Sequence, residues 1–247
     1  MRRLLALAEP EPQRLRAVLS EERVIRPIAH IETDLPTKFG VPRQSGLVPS
    51  LTARIVFEPL YRDPVAFRGL EGYSHIWLLW GFSENRRDEW AATVKPPRLG
   101  GNTRMGVFAT RSPYRPNALG LSAVRLDAVE ADERLGIVLR VSGADLMDGT
   151  PIYDVKPYLP FADSLPDASG GFADGVRDHS LEVDFPPALL ARIPEDKREA
   201  LIGILAQDPR PAYIDEPGRR YGFNYLSFDV RFTAADGRLT VTDIVDL

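Results

Sequence analysis

Gly72 to Phe82, G-Y-S-H-I-W-L-L-W-G-F, is a continuously apolar run with three aromatic rings after His75, the pattern of a fully buried strand. It sets the fold class because its neighbours have the same extended character. R-V-I-R-P-I-A-H-I-E-T from Arg23 to Thr33 places Val24, Ile28 and Ile31 among polar residues, with Pro27 marking an edge or a bulge. Arg54 to Glu58, Leu121 to Val129, Leu135 to Val141 and Ile152 to Val155 read as further short strands. Tyr61 to Glu71 reads as a turn or short helix. Many short strands and few helical patterns up to residue 162 predict a mainly β, antiparallel barrel or sandwich.

Residues 163–180 are rich in Gly, Ser and Asp and form the natural domain boundary. Beyond them, a strand at Leu181 to Phe185, a helix near Glu195 to Gln207, and strands around Phe223 to Phe232 and Arg238 to Ile244 predict a small α+β domain over 181–247. Ala235-Asp236-Gly237 has the chemistry of a hairpin turn. Residues 1–22 read as a polar N-terminal extension. The apolar run Leu4 to Ala8 is too short for a signal-peptide core, and no stretch approaches a membrane span, so a cytosolic protein is expected.

Between Lys95 and Arg125 the chain carries Lys95, Arg98, Arg104, Arg111, Arg115 and Arg125 with no acid, although it holds 35 Asp and Glu in 247 residues. Between Asp34 and Glu58 lies a second acid-free window, with Lys38, Arg43 and Arg54. A net charge of −4 argues against sequence-independent coating of nucleic acid but allows a local basic face. Pro113 and Pro116 fix the approach of Arg111, Arg115 and Asn117, which either lowers the ordering cost of binding an anionic partner or merely stiffens a turn with solvated arginines.

With no cysteine and three scattered histidines, the chain has no thiolate site, no Cys nucleophile and no metal motif. The fingerprints of a Rossmann site, a P-loop, a zincin and a nucleophile elbow are absent. The loop Asp145-Leu146-Met147-Asp148-Gly149 could offer N–H groups and a carboxylate to a ribose or an amine, or simply cap a turn. Asp154, Lys156 and Tyr158 alternate on one side of an extended segment. They make either an ion-paired rim or a base–lysine–phenol set for proton transfer. The D-P-R-P-A-Y motif with Asp208, Arg210 and Tyr213 is either a helix-terminating turn or a grip for an RNA loop.

Six blocks carry a family resemblance: K-F-G-V-P-R-Q-S-G-L-V, Y-R-D-P-V-A-F-R-G-L-E-G-Y-S-H-I-W-L-L, K-P-P-R-L-G-G-N, G-V-F-A-T-R-S-P-Y-R-P-N, D-L-M-D-G-T-P-I-Y-D-V-K-P-Y-L-P-F-A-D-S and A-Q-D-P-R-P-A-Y. In order, and from about residue 23 onward, they resemble the bacterial TsaA-like tRNA methyltransferases that act on threonylcarbamoyladenosine. The resemblance implies a β-barrel enzyme without a Rossmann sheet, using S-adenosylmethionine and no metal. It would methylate N6 of the modified adenosine beside the anticodon and act as a homodimer.

The implied donor site comprises Pro42, Arg43, Gln44, Ser83, Glu84, Arg111, Leu121, Leu146, Met147, Asp148 and Gly149. Arg111 would meet the donor carboxylate, and Asp148 a ribose or an amine. The ureido nitrogen of the substrate is a poor nucleophile while protonated, so a base is required. Asp154 is the candidate, with Lys156 and Tyr158 holding RNA or stabilising charge. Arg115, Asn117, Asp208, Arg210 and Tyr213 are the candidate tRNA contacts. Ser83 stands where family members often carry His, and Ala118 replaces a second proline after R-P-N.

Overall fold

The computed structural model describes residues 24–84, 90–96, 103–176, 180–210, 216 and 218–247. Six strands close an antiparallel barrel: β1 (Ala29–Thr33), β2 (Thr52–Phe57), β3 (His75–Gly81), β6 (Leu119–Asp132), β7 (Gly136–Ser142) and β8 (Pro151–Pro157), in the order β1-β2-β7-β6-β3-β8. Between β3 and β6, the short strands β4 (Thr93–Val94) and β5 (Met105–Gly106) pair with each other. Closure leaves no open edge in the barrel sheet, which is how a chain of short strands satisfies its backbone.

The apolar run from Gly72 to Phe82 is half-buried, not fully buried as its composition predicts. On β3, Ile76, Leu78 and Trp80 point into the barrel core, while Trp77 and Leu79 lie outward and partly exposed. The outward ring of Trp77 packs 5.5 Å from that of Tyr158 and donates from Nε1 to Asp163 at 3.0 Å. Neighbouring side chains thus cover an outer face that a parallel sheet would have covered with helices. Asp163 closes α1 (Pro160–Asp163), the single turn after β8.

The small domain sets β9 (Glu182–Asp184), β10 (Tyr221–Tyr225), β11 (Phe228–Ala235) and β12 (Arg238–Asp246) in one sheet, in the order β10-β11-β12-β9. The turn α2 (Pro187–Leu190) and the helix α3 (Glu195–Ala206) accompany it. Asp236 and Gly237 both adopt positive φ, 50° and 77°, as the expected hairpin requires. The segment Phe223 to Phe232, read as one strand, is instead β10 and β11 joined at Leu226-Ser227. Leu226 holds φ 54° without being Gly or Asn, so the turn left no compositional signal.

The loop between β1 and β2 does not stay with the barrel. Leu35, Val48 and Leu51 are buried in the small-domain core beside Leu201, Ile204 and Phe223. Two glycines permit this contact: a Cβ on Gly203 of α3 would lie 2.8 Å from Val48, and one on Gly40 (φ 87°) would lie 2.3 Å from the Phe223 ring. Lys197 of α3 pairs with Asp34 at 2.7 Å in a partly buried contact. Leu226 N–H donates to the Asp34 carbonyl at 2.8 Å. The small domain is therefore the platform on which residues 34–51 are set.

Candidate functional site

A cavity of about 520 Å³ opens at one end of the barrel, within the size range of small-molecule sites. Four segments distant in sequence build it. The loop carried by the small domain supplies Lys38, Val41, Pro42, Arg43 and Gln44. The exit of β3 supplies Trp80, Phe82, Ser83 and Glu84, and the entry of β6 supplies Leu119, Gly120 and Leu121. The proline-stiffened segment adds Thr110, Arg111 and Arg115, and the loop before β8 adds Asp145, Leu146 and Met147.

Gly120 makes the wall possible, since a Cβ there would lie 2.2 Å from the Trp80 ring. Trp80 in turn donates from Nε1 to Ser122 Oγ at 3.0 Å, and Ser122 Oγ donates to Asp145 Oδ1 at 2.6 Å. Burial pushes the Asp145 carboxyl above the usual carboxylate range, against the opposing effects of the Ser122 hydrogen bond and the nearby Arg111 charge. Elsewhere in the lining, Arg111 Nη1 donates to Gln44 Oε1, and Gln44 Nε2 to the Arg43 carbonyl. The cavity thus presents a cation beside a reluctant carboxylate, between aromatic surfaces.

Of the eleven residues the family resemblance assigned to the donor, nine line this cavity: Pro42, Arg43, Gln44, Ser83, Glu84, Arg111, Leu121, Leu146 and Met147. Asp148 and Gly149 are exposed beside it and serve the backbone. Asp148 Oδ1 accepts from Thr33 N–H at 2.9 Å, and Gly149 N–H donates to the Ile31 carbonyl at 2.8 Å. Of the two acids in this loop, the one that lines the cavity is Asp145, three residues earlier. The only sequence signal for it was its place in a loop with two acids.

Asp154 and Lys156 form an ion pair of 3.1 Å on the outer face of β8, both well exposed. Their partners on β3 are Leu79 and Trp77, and Leu79 pairs with Leu121 on β6. Asp154 is therefore two strands, roughly 10 Å, from a cavity residue, on the same face. Tyr158 packs with its ring tilted against Trp77, which also lines the cavity.

Arg115 lines the cavity and donates to the carbonyls of Val107 and Thr110 at 3.1 and 2.7 Å, while Asn117 is exposed outside it. Asp208 and Arg210 make a two-pronged pair of 2.8 and 3.0 Å and are mostly buried. Tyr213 lies outside the described residues. Trp77, Trp80, Phe82, Thr110 and Thr150 also line the cavity. Sequence reading had absorbed those rings into a buried strand.

Two family models account for nearly all of this architecture: the tRNA-methyltransferase O N-terminal domain matches residues 30–164, and the TrmO C-terminal domain matches residues 178–247. The tRNA (adenine(37)-N6)-methyltransferase of Escherichia coli is 42% identical over 222 residues, covering 87% of this chain and 94% of that protein. A putative S-adenosylmethionine-dependent methyltransferase, RcsF, of Pseudomonas aeruginosa is 40% identical over 84% of this chain and 91% of its own length. Two crystal structures of TrmO from Pseudomonas aeruginosa superpose with TM-scores of 0.74 and 0.72 at 34% identity, covering 92% and 91% of this chain and 98% and 100% of theirs. Both family models, in this order, and the overall fold agree with these relatives, and the chain belongs to the tRNA-methyltransferase O family.

Proposed function

We propose that this protein is an S-adenosylmethionine-dependent tRNA methyltransferase acting on N6 of threonylcarbamoyladenosine beside the anticodon. The observation that carries the reading is the cavity, where residues from four separated segments converge in a chain whose relatives are tRNA (adenine(37)-N6)-methyltransferases.

The chemistry of the lining fits the donor. A methionine carboxylate calls for a guanidinium, which Arg111 provides with its orientation fixed by Gln44. A ribose hydroxyl or an ammonium calls for an acceptor, which Asp145 provides. Trp80 and Phe82, with ring centroids 4.4 Å apart, supply aromatic surface for a base or a sulfonium. Bound there, the donor supplies an electrophilic methyl group. The protein's part is alignment of the nucleophile and removal of its proton.

Asp154 is the group we assign to that proton. It lies on the same sheet face as Leu121 and Trp77 and is ion-paired with Lys156 at 3.1 Å. Tyr158, packed at a tilt against Trp77, completes the approach to the mouth. Arg115 and Asn117, with Asp208, Arg210 and Tyr213 in the small domain, are assigned to the anticodon stem-loop. The enzyme is read as a cytoplasmic homodimer; among the described residues no helix is long and apolar enough to cross a membrane.

Two measurements test the reading. Calorimetric titration with S-adenosylmethionine is expected to give saturable binding, and its absence would remove the methyltransferase reading. A methylation assay on tRNA with and without the threonylcarbamoyl group is expected to show activity only with it. Equal activity on both would overturn the assigned substrate.

A further inference from the structure

Beside the cavity, two near-parallel aromatic rings lie open to solvent. Trp90 and Phe108 have centroids 6.2 Å apart and planes inclined by only 22°, yet 52% and 70% of their surfaces are exposed. Large rings left this open are an energetic liability unless something covers them. Backbone contacts build the arrangement rather than leaving it to chance. Ala91 N–H donates to the Tyr114 carbonyl at 3.1 Å, Val107 N–H donates to the Ala92 carbonyl at 3.0 Å, and Thr93 pairs with Gly106. The segment after Trp90 is thereby clamped to the segment that carries Phe108.

Arg115 places its guanidinium 5.6 Å from the centre of the Phe108 ring. Its position is locked by the Val107 and Thr110 carbonyls, and among the described residues no carboxylate pairs with it. The charge therefore remains available beside the rings. Arg115 and Thr110 also line the cavity, so the rings sit at its rim. The surrounding sequence from Lys95 to Arg125 has no acid. Flat, exposed π-surface backed by an uncompensated cation is the chemistry that holds an unstacked nucleobase with its phosphate.

We propose that Trp90 and Phe108, backed by Arg115, form a stacking platform for an unpaired base of the RNA substrate at the rim of the donor cavity. This rests on the reading that the substrate is a tRNA, whose anticodon loop presents such bases. A second copy of this chain seated on the rings is the competing occupant.

The test titrates a labelled anticodon stem-loop RNA into the full-length protein by fluorescence anisotropy. The variants are Trp90→Ala and Phe108→Ala, with the ring-keeping Trp90→Phe and Phe108→Tyr. Donor affinity by calorimetry and mass by light scattering are read on the same samples. Each alanine variant is expected to bind RNA about 5- to 100-fold more weakly, with the KM for RNA raised in step. The ring-keeping variants should stay within about 2-fold of wild type, with donor affinity and mass unchanged throughout. Unaltered RNA affinity in both alanine variants overturns the platform, as does a loss of affinity that tracks a change in mass. Should an alanine variant lose donor binding as well, quenching of Trp90 emission by RNA decides, taken as the difference between wild type and Trp90→Phe; no difference overturns the platform. If the wild type itself fails to bind the RNA, the tRNA reading falls; if it binds and the alanine variants bind equally, only the platform falls.

Discussion

Arg43 reaches from the loop between β1 and β2 into the small domain, its Nη2 lying 3.4 Å from the carbonyl oxygen of Arg210 and 3.5 Å from that of Asp208. The same residue accepts at its own carbonyl from Gln44, which receives the Arg111 guanidinium. A continuous hydrogen-bond chain thus runs from the cavity wall to the turn after α3. The Asp208–Arg210 pair shapes that turn, in which Asp208 takes φ 53°.

This chain predicts a separation of effects for Arg210→Ala. Removing the guanidinium leaves a mostly buried Asp208 carboxylate without its two-pronged partner, at a cost of about 2 to 3 kcal/mol of stability. Donor affinity should fall as well, although Arg210 lies outside the cavity lining. Urea denaturation and calorimetric titration with S-adenosylmethionine check both. Unchanged donor affinity would show that the small domain does not position the Arg43 loop.

Gly120→Ala should damage the cavity while sparing the fold. Its Cβ would collide with the Trp80 ring at 2.2 Å, and Trp80 can yield only by abandoning Ser122 or moving into the cavity. A stability loss of about 1 to 3 kcal/mol is expected from the overpacking, with donor binding lowered at least about tenfold. Near-UV circular dichroism would register displacement of the tryptophan.

Asp145 gives a pH-dependent prediction. Its carboxyl is raised in the folded protein from the ordinary value of 3.8, so the folded state holds that proton more tightly than the unfolded one. The group's contribution is therefore most favourable below the ordinary carboxylate range and is lost as pH rises through the folded value. Asp145→Asn removes this dependence, and its uncharged amide can still accept from Ser122. The donor-free variant should be more stable than wild type at neutral pH and no more stable under acid conditions, as scanning calorimetry would read. Its donor affinity should drop. A variant less stable than wild type at neutral pH would contradict the burial argument.

For the proton acceptor, Asp154→Asn is expected to lower kcat by about 10²- to 10⁴-fold, the range of general-base contributions, while donor and tRNA affinities hold. Full turnover in this variant would remove Asp154 from catalysis. Residual activity that rises with pH would point to a hydroxide-assisted route in its place.

Local sequence determined much of this protein. The short extended runs, the Asp236-Gly237 turn and the polar tract before the second domain all encode structure over a few residues, because backbone preference and burial act at that range. The family blocks likewise carried nine of the cavity's residues.

What tertiary structure alone decided is which side chains from distant segments face one another. Residues 35–51, which the sequence marks as an acid-free basic window and part of a family block, join the small-domain core because Gly40 and Gly203 lack the Cβ that would bar Phe223 and Val48. Asp145, and not Asp148, faces the cavity because Asp148 is taken by the backbone of Thr33 across the barrel end. Trp80, read as core, is also cavity wall, because barrel closure brings β3 beside Gly120 of β6. Such outcomes depend on contacts between residues tens of positions apart, which chain closure fixes and local pattern does not record.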